Sequence, residues 1–194
     1  MAGQNIVLTG FMGTGKTTVG KLLAKKLGYK FLDTDQIIMS RCNMTVAEIF
    51  KIKGEALFRK MERELALELS LQDKLVISTG GAMMLDPFNV DALERKITYE
   101  LEDEKGEDEK NNDLLKKQGM IFCLVADPDE IVARVSGDNG IERPLLKVDD
   151  PKARIAELLN ERKEGYARFV QVDTTALTPE AVCKVIMDMF EKQL

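Results

Sequence analysis

The stretch GFMGTGKTTVGK runs from Gly10 to Lys21, and its opening fits the pattern G-x-x-x-x-G-K-[ST]. A polyphosphate carries several negative charges at close range, so a protein that holds one must replace water with many donors. Glycines at Gly10, Gly13 and Gly15 let a loop turn its amides inward, because glycine tolerates positive φ. A helix beginning there adds unpaired N–H groups and a positive dipole end. In this pattern Lys16 reaches the β and γ oxygens of a nucleoside triphosphate, and the Thr17 hydroxyl faces Mg²⁺. Gly13, Thr14, Gly15 and Thr18 complete the expected cradle for the triphosphate.

Further along lie residue types suited to an acceptor. FLDTD ends a predicted strand with Asp33 and Asp35. Alternation along a strand places both carboxylates on one side, at the carboxyl edge where open α/β sheets bind ligands. Such a pair is a helix cap plus a surface acid, or it is Asp33 assisting Mg²⁺ and Asp35 accepting a bond from a substrate hydroxyl. Arg59 and Glu62 share a helix face and taken alone read as an ordinary ion pair. Gly80 and Gly81 follow the third predicted strand and allow close backbone approach. Arg143-Pro144 sits in a polar, Gly-containing loop at about 136–148, which suits a lid closing over phosphates. Arg162 and Tyr166, one turn apart, taken alone read as a surface stacking contact.

The elements that must position these residues alternate. Apolar runs at Ile6–Thr9, Leu75–Thr79 and Met120–Ala126, with YKFLDTD and FVQVDT, read as buried strands. Helical spacing follows Lys16 and ends at Gly28. Thr45-x-x-Glu48 is a capping box, a helix spans about Glu55 to Leu71, and Asp127-Pro128, Asp150-Pro151 and Thr178-Pro179 open three more. Alternating strands and helices predict one α/β domain over residues 1–194 with a parallel sheet. Residues 95–117 are rich in acids and lack an apolar period, which predicts a solvated insertion or a docking arm.

Composition narrows the chemistry. The 194 residues include no histidine, so Ser-His-Asp and Cys-His mechanisms are excluded and any general base is Asp, Glu or Lys. A net charge of −5 argues against a nucleic-acid or anionic-membrane grip. Cys42, Cys123 and Cys183 are few and scattered, which fits reduced thiols. Neither a signal peptide nor a membrane span is expected, which suggests a cytoplasmic protein.

Taken in order, the P-loop, D-T-D, F-R-x-x-E, G-G-A, R-P-L-L and R-x-x-x-Y resemble the shikimate kinase family, from about Ile6 to Phe190. The resemblance implies a three-layer α/β/α P-loop kinase fold with a five-stranded parallel sheet, order 2-3-1-4-5, and a lid. It implies ATP and shikimate as substrates, Mg²⁺ as the ion, and a monomer. By position, Asp35 would orient and deprotonate the 3-hydroxyl of shikimate, and Arg59 and Arg162 would clamp its carboxylate. Gly80 would offer its backbone to the ring hydroxyls, with Gly81 beside it. Arg143 would close on the transferred phosphate, and Arg134 would lie along the adenine.

The chain departs from the family pattern at three places. Thr79-Gly80-Gly81 stands where the family has three glycines, which would crowd the loop. Residues 174–177, TTAL, stand where an adenine-side arginine is usual, and the acidic segment is longer than usual. A kinase for another polyol or sugar acid such as gluconate, and a non-catalytic nucleotide-binding regulator, are the competing readings.

Overall fold

The computed structural model describes residues 4–94, 119–136, 146 and 148–192. The acidic insertion, Arg143 and most of the expected lid lie outside the described residues. Five parallel strands, β1 (Ile6–Gly10), β2 (Lys30–Asp33), β3 (Leu75–Ser78), β4 (Met120–Val125) and β5 (Val170–Asp173), form one sheet of order β2-β3-β1-β4-β5. The helices among the described residues are α1 (Lys16–Leu27), α2 (Thr34–Cys42), α3 (Val46–Lys53), α4 (Glu55–Ser70), α5 (Pro87–Leu93), α6 (Pro128–Ser136), α7 (Pro151–Ala167) and α8 (Pro179–Glu191). The expected three-layer fold and strand order are therefore observed. None of these helices is long and apolar enough to cross a membrane.

Alternation along the strands builds both layers. Ile6 and Leu8 of β1, Val76 of β3 and Phe122 and Leu124 of β4 pack with Val19, Leu23 and Ala24 of α1 and Val182, Ile186 and Phe190 of α8. Their neighbours Val7, Ile77, Ile121 and Cys123 face the other way, against Phe58, Leu65 and Leu69 of α4 and Ile155 and Leu158 of α7. Both sheet faces are covered, which is why the strands read as continuous apolar runs rather than alternating ones. Helix starts follow the sequence signals. Thr45 and Glu48 cap α3 reciprocally, and Asp150 and Thr178 accept amides at the starts of α7 and α8.

Two stretches depart from the expected elements. Strand β2 stops at Asp33, and residues 34–42 are helix α2, not the tail of a strand. The Asp33 side chain accepts from the Gln36 amide and so ends the strand by capping a helix. Asp33 and Asp35 are consequently not an alternating strand pair. The second unexpected piece is a 3₁₀ turn at Met83–Leu85 followed by α5, where Asp86 caps and Pro87 takes the first helical position.

Register aligns the carboxyl edge. Asp33 pairs with Ser78, Ser78 with Leu8, and Gly10 with Leu124. The loops after β1, β2 and β3 therefore leave the sheet side by side. Gly10 makes the sharpest exit, at φ 126, and a Cβ there would lie 2.2 Å from the Leu124 carbonyl oxygen. Gly10→Ala combines a disfavoured φ with a backbone collision, so it should destabilise the domain by more than about 3 kcal/mol. The measurement is the urea unfolding midpoint; a midpoint equal to the unaltered protein's would refute this account of the loop's exit.

Candidate functional site

The loop between β1 and α1 is shaped by its own polar atoms. Gly13 and Gly15 have φ of 78 and 94, and Gly15 caps α1 with no side chain. The cap therefore supplies no side-chain acceptor to the first turn of α1. The buried Thr14 hydroxyl donates to the Phe11 carbonyl at 2.8 Å. Lys16 Nζ donates to the carbonyls of Gly10 and Phe11, each at 2.8 Å, so the ammonium lies within the loop's curve. Thr17 and Thr18 are exposed at the start of α1. Thr17 Oγ1 donates to Asp33 Oδ2 at 3.3 Å, which joins the ends of β1's loop and β2.

Asp35 sits in the first turn of α2, reached by the cap at Asp33. Its Oδ1 is buried and accepts no hydrogen bond among the described residues. Burial and the charge of Asp33 push its carboxyl up to about 6, against the opposing pull of Lys16 and Arg59. The carboxylate lies against Gly80, where an added Cβ would fall 2.5 Å from Asp35 Oδ1. Gly80 thus supplies room. Its amide donates to Thr34 Oγ1 at 3.0 Å and its carbonyl accepts from the Met83 amide at 3.1 Å. Both backbone groups already have partners, and only the carbonyl's second lone pair is left to meet a ligand. The residue assigned to backbone recognition therefore also works by having no side chain.

Arg59 is fixed from several directions. Nη1 donates to Glu62 Oε2 at 2.8 Å, while Nε and Nη2 donate to Glu55 Oε1 at 3.0 and 2.6 Å. The rings of Phe50 and Phe58 lie 5.9 and 5.7 Å from Arg59 Cζ. Glu62 is only 1% exposed, and burial pushes its carboxyl up to about 7 although Arg59 opposes the shift. Burial works against the Arg59 charge, but Glu62 and Glu55 outweigh it and raise the guanidinium pKa. The Arg59–Glu62 ion pair read from spacing is present, and it faces inward toward Asp35. Glu55 was not singled out from the sequence, although its i,i+4 spacing to Arg59 carried the signal.

Arg162 arrives from α7. Its Cζ lies 5.5 Å from the ring centroid of Phe11, inside the phosphate loop. A Cβ on Gly81 would approach Arg162 Nη1 to 3.2 Å. Tyr166 is 4% exposed and donates its hydroxyl proton to the Gly81 carbonyl, so it is no surface stacking residue. The structure therefore gathers Lys16, Asp35, Arg59, Gly80, Gly81 and Arg162 around the carboxyl edge of β1–β3.

Arg134 lies on the other flank. It donates to Glu130 Oε1 at 2.9 Å, to the Gly13 carbonyl at 3.3 Å, and to Thr174 Oγ1 and O at 3.0 and 2.7 Å. The helix that leads toward the expected lid is thus tied to the phosphate loop and to the exit of β5. Thr79 does not crowd its loop. It is 2% exposed, and its hydroxyl and amide both donate to the Leu8 carbonyl. In the stretch without the arginine, Ala176 adopts φ 54 and Leu177 is exposed.

Comparison with known proteins gives the same reading. The shikimate kinase family model matches residues 12–102 and 106–191. A shikimate kinase of Thermodesulfovibrio yellowstonii is 40% identical over 190 residues, covering 97% of this chain and 96% of its own. The structure of a shikimate kinase from Acinetobacter baumannii in complex with shikimate superposes with a TM-score of 0.78 at 29% identity, covering 97% of this chain and 93% of that one. A shikimate kinase from Bacteroides thetaiotaomicron superposes with a TM-score of 0.77 at 28% identity, covering 97% of this chain and 98% of that one. With a phosphate loop facing a buried aspartate and two arginines, and with relatives matched along their length, the chain belongs to the shikimate kinase family of ATP-dependent phosphotransferases.

Proposed function

We propose that this protein transfers the γ-phosphoryl group of ATP to the 3-hydroxyl of shikimate, giving shikimate 3-phosphate and ADP. The observation that carries the reading is the buried Asp35 carboxylate, set against Gly80 and under the charges of Lys16 and Arg59. A carboxylate there orients the acceptor hydroxyl and takes its proton as the phosphoryl group arrives. Arg59 and Arg162 hold the substrate carboxylate in charge-assisted, fork-shaped contacts. Gly81 keeps its side of the pocket open for the ring.

The amides of Gly13, Thr14, Gly15 and Thr18 and the ammonium of Lys16 receive the phosphates. To do so Lys16 gives up its bonds to the Gly10 and Phe11 carbonyls and turns toward the β and γ oxygens. Arg134 lines the nucleotide base, and Arg143 closes over the transferred group. Thr17 and Asp33 fit Mg²⁺, since they are adjacent hard oxygen ligands, 3.3 Å apart. Two such ligands leave the rest of the ion's coordination to phosphates and water. Bound there, Mg²⁺ would neutralise charge on the β and γ oxygens. Transfer between two held groups then needs mainly alignment and charge compensation. The reading places a monomer in the cytoplasm.

A coupled ADP-release assay with ATP and Mg²⁺ tests the reading directly. Shikimate should give saturable turnover and gluconate none; the reverse pattern would assign the site to another polyol acid. Arg59→Ala should raise the KM for shikimate roughly 10- to 150-fold, the equivalent of about 1.5–3 kcal/mol for a lost charge-assisted contact. An unchanged KM would remove Arg59 from the carboxylate clamp.

The protonation of Asp35 sets a pH limit. The carboxyl must be ionised to accept a proton, and its pKa is raised to about 6. The kcat/KM for shikimate should therefore fall about tenfold per unit below that pH and level off above it. A flat acid limb would show that Asp35 only orients the hydroxyl.

A further inference from the structure

The carboxylate clamp depends on where Arg162 points, and the structure shows how that direction is set. Arg162 and Tyr166 lie one turn apart on α7. That spacing sets the two side chains next to each other on one helix face. The Tyr166 hydroxyl has one proton, and it is committed to the Gly81 carbonyl. Its lone pairs are then left to accept from the guanidinium. The opposite support comes from the Phe11 ring, 5.5 Å from Arg162 Cζ. Gly81 completes the enclosure, since a Cβ there would press on Arg162 Nη1 at 3.2 Å and lie 3.8 Å from Tyr166 Oη. Tyr166 itself is 4% exposed, so neither water nor a ligand competes strongly for its hydroxyl.

We infer that Tyr166 is a positioning residue for the acceptor: its hydroxyl, oriented by the Gly81 carbonyl, holds the Arg162 guanidinium toward the substrate carboxylate. The inference rests on the proposed shikimate kinase reading and deepens it. Tyr166 does not touch the substrate; it acts through Arg162. The same arrangement links the two halves of the site. The Phe11 carbonyl receives Lys16, and the Phe11 ring supports Arg162.

The test is a double-mutant cycle on shikimate kinetics with Tyr166→Phe, Arg162→Ala and the double variant. Tyr166→Phe should raise the KM for shikimate roughly tenfold, with kcat within about threefold and the KM for ATP within about twofold. In the Arg162→Ala background the same change should alter the shikimate KM by less than about twofold, because a residue acting through an absent partner has nothing left to orient. Gly81→Ala, which presses on Arg162 Nη1 and borders the Tyr166 hydroxyl, should also raise the shikimate KM selectively. It carries the test by itself if Tyr166→Phe fails to fold. A KM for shikimate unchanged in Tyr166→Phe or Gly81→Ala overturns the inference. So does an effect of Tyr166→Phe that persists in full beside Arg162→Ala, or an equal rise in the KM for ATP. Turnover of shikimate by the unaltered protein with any of those results sinks the inference alone. No turnover by the unaltered protein sinks the functional reading and the inference with it.

Discussion

A buried carboxylate is unfavourable unless cations or donors compensate it, and the site is organised around that constraint at Asp35. Burial and Asp33 push the group toward its neutral form, while Lys16 and Arg59 pull it back. The balance leaves a carboxyl whose pKa is raised to about 6, much closer to neutrality than an exposed aspartate's. Steric space is the other half of the arrangement. A Cβ at residue 80 would fall 2.5 Å from Asp35 Oδ1, so the missing side chain and the aspartate's placement go together.

The compensating charges are themselves held by compensation. Arg59 is bracketed by Glu62 inside and Glu55 outside, with its Cζ over the rings of Phe50 and Phe58. Glu62 is almost fully buried, and it is retained there because the guanidinium meets it at hydrogen-bond distance. Lys16 is curled onto its own loop carbonyls. Those bonds keep the ammonium partnered within the half-buried loop.

Two flanks meet at the phosphate loop. On one side Phe11 contacts Arg162, and on the other Gly13 accepts from Arg134. Arg134 also grips Thr174, at the stretch where the family's usual arginine is replaced by TTAL. Thr174 thus has a defined structural partner, and the substitution leaves the exit of β5 tied to α6. Thr79 is similarly absorbed, since its hydroxyl turns into the sheet and bonds to Leu8 instead of entering the site.

Much of this was legible in the residues alone. The phosphate loop is contiguous, and its function follows from local backbone chemistry, so Gly10 to Thr18 could be read directly. The strands and most helix starts followed from apolar runs and caps, which are also local, whereas the strand order came from the family resemblance. Helix α2 was legible only as the cap alternative at Asp33, and the bond from the Gln36 amide to Asp33 shows the strand giving way to a helix there. The inward aim of Tyr166 was hidden too, since its partner carbonyl lies 85 residues away in sequence. Spacing along a chain determines which residues share an element and a face. Only packing of distant elements decides which of those faces is dry, and it is desolvation there that turns an aspartate, a glutamate and a tyrosine from ordinary surface groups into a site.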